Sequence, residues 1–199
     1  MTGRRTAAFL DRDGTINEEV EFLRKPEQLR LIEGAGSALR ALNERGILTC
    51  IISNQSGVAR GFLSEADLIP IHAKLERELG RAHAKVDRIY YCPHHPTEGK
   101  PPYNIICECR KPATGMLMRG AQELRIDLGQ SFVVGDRIVD VQAGKAVGAT
   151  TILVLTGYGT TSVDECRREN VQPDLVVPSI VDAVEFILQK ANSENAASA

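Results

Sequence analysis

The sequence predicts an α/β protein with a mostly parallel sheet covered by helices on both faces. Short apolar, β-branched runs alternate with helical patterns along the chain; parallel strands need that order, because each must reach the next through a crossover. Three of those runs end in polar or Gly-rich sequence: Asp11-Arg12-Asp13-Gly14, Ser53-Asn54-Gln55-Ser56-Gly57 and Gly135-Asp136. Ligands bind such sheets at the carboxyl ends of the strands, so these three ends are expected to converge on one crevice. With 199 residues, 43% hydrophobic and 25% charged, the chain has room for one ordinary core.

The first strand is predicted over Ala7–Leu10 and the first helix over Ala35–Arg45, started by Glu33-Gly34. A strand over Ile47–Ser53 runs into the second polar cluster, and Ser64 is placed to cap a helix over Glu65–Leu79. The strand Arg88–Tyr91 leads to Pro93–Pro112, a Pro-rich loop too long to order itself without an anchor. Then follow a helix over Gly115–Leu124, a strand over Phe132–Gly135, a helix over Val139–Val147, strands over Thr151–Leu155 and Leu175–Val177, and a helix over Ile180–Lys190. No repeat or linker divides the chain, so residues 1–190 are read as a single domain and 191–199, small and polar, as a flexible tail.

Charge and hydropathy exclude several roles. The net charge is −2 with scattered Lys and Arg, which argues against nucleic acid or an anionic membrane as partner. No apolar run approaches the roughly 20 residues of a membrane span. Arg4 and Arg5 lead directly into the first motif, so a cleaved signal would remove its aspartates and a cytoplasmic enzyme is expected. No long apolar stripe stands out, which predicts a monomer.

Asp11 and Asp13, followed by Gly14 and Thr15, form a carboxylate pair where a buried strand opens into a loop. Such a pair can bind a hard cation and attack phosphorus. In this reading Asp11 is the nucleophile, and Asp13 gives a proton to the leaving alcohol and later takes one from water. Mg²⁺, held by Asp11, Asp136 and the Asp13 carbonyl, offsets the repulsion between carboxylate and phosphate. Ser53 donates to a phosphoryl oxygen with Asn54 assisting, and Lys111 supplies a fixed positive charge. Asp140 either supports the metal ligands or is an acid in the first turn of a helix, the second being favoured.

Five cysteines, three of them close together, suggest metal binding rather than disulfides. Cys92 and His94, with Cys107 and Cys109, offer three thiolates and an imidazole, a closed tetrahedral set for structural Zn²⁺. His94 is preferred to His95 because it pairs with Cys92 as CxH. A zinc-pinned loop over 92–109 would direct Lys111 inward to the reacting phosphate and Arg110 outward to a second anion. Cys50 reads as core and Cys166, among charges, as incidental.

Asp11-x-Asp13-Gly14-Thr15, Ser53-Asn54, Lys111 and Gly135-Asp136-x-x-x-Asp140 resemble, in order, the four motifs of the haloacid dehalogenase superfamily of phosphohydrolases. The resemblance implies a Rossmann-like, doubly wound sheet with the first motif on its central strand, Mg²⁺, and an aspartyl-phosphate intermediate. From Phe9 to about Gly157 the chain further resembles the branch that dephosphorylates heptose bisphosphates, most distinctively over Asn54–Gly61. That implies substrate contacts from Ser53, Asn54, Gln55, Ser56, Arg110 and Lys111, and removal of the 7-phosphate to leave a heptose 1-phosphate for activated-heptose synthesis. Two departures stand out. Glu19-Val20-Glu21-Phe22 occupies a segment that usually carries Gly-Tyr, and Arg137, also taken as a substrate contact, replaces a frequent lysine. Histidinol-phosphate phosphatases share the first motif and the zinc loop, and Glu19 and Glu21 would suit their cationic amine; the Ser56–Gly61 run argues against them. Two other readings are phosphoryl transfer to a sugar acceptor and a catalytically silent, zinc-stabilised interaction module. The intact set Asp11, Asp13, Lys111 and Asp136 speaks against the module.

Overall fold

The computed structural model describes residues 5–197. Six parallel strands form one sheet: β1 (Ala7–Leu10), β2 (Leu48–Asn54), β3 (Arg88–Cys92), β4 (Phe132–Gly135), β5 (Thr150–Val154) and β6 (Leu175–Val177), in the order β3-β2-β1-β4-β5-β6. β1 is therefore central. The chain leaves it toward β2 on one side and returns to it as β4 on the other. That reversal opens a crevice at the carboxyl ends of β1, β2 and β4.

The period-2 alternation of the strands divides the core. Ala8 and Leu10 face one layer, with α1 (Ala35–Glu44), α2 (Glu65–Arg81) and α6 (Ile180–Ala197). Ala7 and Phe9 face the other, with α3 (Gly115–Leu124) and α4 (Ile138–Ala146). Both faces are covered, which is why the strands read as continuous apolar runs rather than alternating ones. Ser64 caps α2 as expected: its Oγ accepts from the Asp67 amide while Asp67 reaches back to the Ser64 amide, closing a capping box.

Two elements differ from expectation. α5 (Gly159–Arg168) was not foreseen, because it opens on Gly159-Thr160-Thr161, all poor helix formers. Cys166, read as incidental, is buried in a small cluster with Ile138, Val141 and Leu153, and anchors α5 to the sheet. The last helix also continues past Lys190 to Ala197, since nothing from Ala191 onward is Gly or Pro. Most of the expected tail is thus helical. Among the described residues no helix is long and apolar enough to cross a membrane.

Candidate active site

The Asp11 amide donates to the Val134 carbonyl (2.8 Å), carrying the β1–β4 pairing one residue past the strand. The Asp11 side chain thereby stays over the sheet edge, almost buried. Its Oδ1 accepts from Lys111 Nζ (2.7 Å), which also donates to the Ile52 carbonyl (2.7 Å) and to Asp140 Oδ1 (2.5 Å). All three ammonium protons are used. Asp136 is fully buried; its Oδ2 accepts from the Tyr158 amide (2.8 Å), and its Oδ1 has no hydrogen-bond partner. One carboxylate oxygen from each of Asp11, Asp136 and Asp140 lies within 4.8 Å of the others.

Three buried carboxylates around one lysine leave excess negative charge. Burial pushes the Asp11 carboxyl up to about 7; Lys111 opposes the shift and Asp140 adds to it. Burial and the charges of Asp11 and Asp140 push Asp136 up to about 8. Burial disfavours charge on Lys111, but Asp11 and Asp140 outweigh it and hold the amine above its ordinary range. Asp140 does more than its position in a helix start suggested. Its Oδ2 caps α4 by accepting from the Arg137 amide (3.1 Å), while its Oδ1 fixes Lys111.

Asp13 faces different company. Arg12 Nε and Nη2 grip its two oxygens at 3.1 and 2.6 Å, and Asn17 Nδ2 (2.9 Å) and Gln55 Nε2 (3.0 Å) donate to it as well. Burial works against this charge, yet the guanidinium and the amides win and hold the carboxyl below the usual range. Gly14 follows at φ +78°, where a side chain is strained. A Cβ there would stand 2.2 Å from Asp136 Oδ2, and one at Gly157 would meet the same oxygen at 2.2 Å. Backbone alone walls in that side of Asp136.

At the end of β2, Ser53 Oγ accepts from Gln55 Nε2 (2.7 Å). Asn54 and Gln55, expected to touch substrate, are engaged within the protein. Asn54 Oδ1 accepts from the Lys111 amide and its Nδ2 donates to the Lys111 carbonyl, both at 3.0 Å, so Asn54 clamps the lysine backbone. Gln55 donates to both Asp13 and Ser53, and its Oε1 accepts from Arg12 Nη2 (3.1 Å). Short polar side chains at a strand end reach backbone and neighbours as readily as ligand, and sequence does not separate the two.

Between β3 and α3 the chain forms the long loop foreseen. Cys92, His94, Cys107 and Cys109 gather with ligand atoms within 4.8 Å of one another. Their sulfurs are 3.1–3.5 Å apart, and His94 Nδ1 lies 3.7 Å from Cys92 Sγ and 3.4 Å from Cys109 Sγ. His95 is elsewhere: its Nδ1 accepts from the Glu98 amide (3.0 Å) and its ring lines the cavity. Arg110 donates to the His94 carbonyl (3.1 Å).

These elements enclose a cavity of about 520 Å³. Asp11, Asp13, Ser53, Asn54, Gln55, Ser56, Arg110, Lys111 and Arg137 all reach its wall, whereas Asp136 lies behind Asp11. Arg137 is stacked over the Tyr158 ring at 3.9 Å. Glu19 and Glu21 line the cavity too; burial, then the Asp13 charge, raises the Glu19 carboxyl. The sequence reading missed Arg60 and His95 on the wall, although Arg60 lies inside the segment singled out as distinctive.

A carboxylate at the end of a central strand, another two residues on, a buried lysine and the acids Asp136 and Asp140, which follow the neighbouring strand β4, are the arrangement of a haloacid dehalogenase-like hydrolase. The HAD-hydrolase-like family model matches residues 108–183. The D-glycero-beta-D-manno-heptose-1,7-bisphosphate 7-phosphatase of Haemophilus ducreyi is 39% identical over 183 residues, covering 91% of this chain and 97% of that protein. Its Escherichia coli counterpart is 37% identical over 182 residues, with 91% and 93% covered. The crystal structure of D,D-heptose 1,7-bisphosphate phosphatase from B. bronchiseptica, complexed with magnesium and phosphate, matches with a TM-score of 0.82 at 32% identity, covering 93% of this chain and 99% of that one. The chain belongs to the family of heptose-1,7-bisphosphate 7-phosphatases, which are phosphoric monoester hydrolases.

Proposed function

We propose that the protein removes the 7-phosphate of D-glycero-D-manno-heptose 1,7-bisphosphate through an aspartyl-phosphate, leaving heptose 1-phosphate. The observation that carries this reading is the buried trio Asp11, Asp136 and Asp140 against Lys111, with Asp136 Oδ1 unpartnered. An all-oxygen donor set with surplus negative charge fits a hard divalent cation. Mg²⁺ would be held by the carboxylates of Asp11 and Asp136 and by the Asp13 carbonyl, and would neutralise charge on the reacting phosphate.

Asp11 attacks phosphorus as the bond to O7 breaks, and Asp13 gives the departing alkoxide its proton. Water then attacks the aspartyl-phosphate, Asp13 takes its proton, and phosphate leaves with Asp11 restored. Before substrate arrives, Asp13 is held ionised by Arg12, the form the second half needs. The incoming phosphate is itself negative and raises the proton affinity of Asp13, which takes up a proton from solvent as substrate binds and so enters the first half as the acid. Lys111 and the Ser53 hydroxyl stabilise the transferring group. Ser56, Arg110 and Arg137 are assigned to the rest of the substrate; a second phosphate needs its own cations. Cys92, His94, Cys107 and Cys109 have the three-sulfur, one-nitrogen set of a closed Zn²⁺ site, whose role here is to pin the loop that delivers Arg110 and Lys111. The reading keeps residues 1–190 as one catalytic domain, acting as a monomer. It also keeps the enzyme in the cytoplasm, since a doubly phosphorylated sugar does not cross a bilayer unaided.

One observation favours a second substrate. Glu19 and Glu21 on the cavity wall would suit the amine of histidinol phosphate. Steady-state phosphate release with Mg²⁺ separates the two. A kcat/KM at least about a hundredfold higher for a heptose anomer, roughly 2.7 kcal/mol of discrimination, is the expected result. The reverse preference would reassign the enzyme.

A further inference from the structure

Among the described residues Arg12 is the largest fully buried side chain, and neither it nor its neighbour His72 lines the cavity. A buried guanidinium needs partners for its N–H groups, or it becomes a costly defect. Arg12 directs one edge to Asp13 through Nε and Nη2, and a second Nη2 proton goes to Gln55. The opposite corner, Nη1, meets His72 Nε2 at 3.4 Å. Arginine has no acceptor, so in this contact His72 must accept, with Nε2 unprotonated. Burial and the Arg12 charge keep the imidazole neutral, with its titration moved down to about 4. The ring is itself held. It packs against Tyr91 at 5.7 Å between centroids, and the Tyr91 hydroxyl donates to Glu65 (2.9 Å), which lies about two turns before His72 on the same face of α2.

We propose that His72 is a positioning residue that acts through Arg12, fixing the guanidinium at the corner remote from Asp13 so that the Asp13 carboxyl is aimed at the leaving oxygen. The proposal rests on the reading of Asp13 as the proton donor. The two contacts with Asp13 along one edge and the Nη2 contact with Gln55 leave the Nη1 corner unheld; the fourth contact, with His72, is the one that holds it. Supporting groups of this kind set the geometry of the groups that touch substrate, and catalysis is sensitive to small misplacements.

The test compares two leaving groups in the first turnover. A sugar alkoxide needs a proton as it departs, whereas p-nitrophenolate, whose phenol has a pKa of about 7, leaves without one. His72→Phe keeps a ring against Tyr91 and removes the acceptor; His72→Leu removes both; His72→Gln keeps an acceptor. Each is checked by thermal unfolding. His72→Phe or His72→Leu is expected to slow release of the sugar from heptose 1,7-bisphosphate about tenfold, below the 10²–10⁴ that full loss of a general acid costs. The burst of p-nitrophenolate from p-nitrophenyl phosphate stays within about twofold, and His72→Gln stays near the parent on both. Equal slowing of both substrates, or of neither, by a folded His72→Phe or His72→Leu protein overturns the proposal. Asp13→Asn is run alongside. If it also fails to discriminate between leaving groups, the assignment of Asp13 is wrong and the proposal falls with it. If Asp13→Asn discriminates and the His72 variants do not, only the role of His72 is lost.

Discussion

Asp11 and Asp13 leave the same strand two residues apart and meet opposite surroundings. Asp11 turns toward Asp136 and Asp140, with a single lysine to balance three carboxylates. Asp13 turns toward a buried arginine and two amides that all donate to it. One carboxyl is pushed up to about 7 and the other is held below its ordinary range. The difference teaches how one loop can carry two kinds of chemistry. In the proposed mechanism a crowd of like charges makes a place for a cation and an electrophile, while a fork of donors makes a proton carrier with a defined direction.

The largest test of that contrast is Asp11→Asn. Loss of the nucleophile is expected to lower kcat by at least about 10⁴-fold on every ester, whatever its leaving group. The melting temperature should hold or rise, because one of three crowded charges has gone. A residual rate within about tenfold of the parent would move the nucleophile elsewhere.

Varying Mg²⁺ alone sharpens the comparison through pH. An unfolded chain titrates its aspartates near 4, whereas folded Asp11 and Asp136 stand at about 7 and about 8. Between those values the folded protein binds more protons, so its stability falls as pH rises from about 5 to 8. Asp13, shifted the other way, stabilises above pH 4 and loses its contribution only in acid. Melting curves without Mg²⁺ are expected to slope downward over this range and to flatten when Mg²⁺ saturates the site. A slope unchanged by Mg²⁺ would remove Asp11 and Asp136 from the metal site.

The smallest effect is expected at Asn54→Ala. It removes both hydrogen bonds to the Lys111 backbone, for about 1–3 kcal/mol in denaturant titration. A kcat about tenfold lower, with KM little changed, would mark Asn54 as the clamp of the lysine rather than a contact of the substrate.

The strands and the motifs at their ends were legible because a sheet buried on both faces writes itself as apolar runs, and catalysis needs rare residue types at the ends of those runs. The gathering of Cys92, His94, Cys107 and Cys109 was legible for a similar reason: three thiols and an imidazole in a loop with no core of its own have little else to do. His94 is preferred to His95 for its spacing to Cys92; in the fold the His94 ring lies beside Cys92 and Cys109, and the His95 ring lies against the Glu98 amide. What the sequence hid was which partner each polar side chain takes. Gln55 and Asn54 have the same chemistry whether they meet a sugar or the protein, and Arg12 between two aspartates gives no sign that it is buried whole. α5 was hidden for a different reason. Tertiary contacts of Cys166 hold a segment whose local preferences are weak.

Gly14 and Gly157 stand against each other on one side of Asp136, with no room for a carbon on either. Every missense change open to a glycine codon adds at least that carbon. At these two positions the genetic code offers no harmless step, so any drift in what this pocket accepts has to come from other residues of its wall, where Glu19, Glu21, Arg60 and Arg137 already present side chains that can be traded one for another.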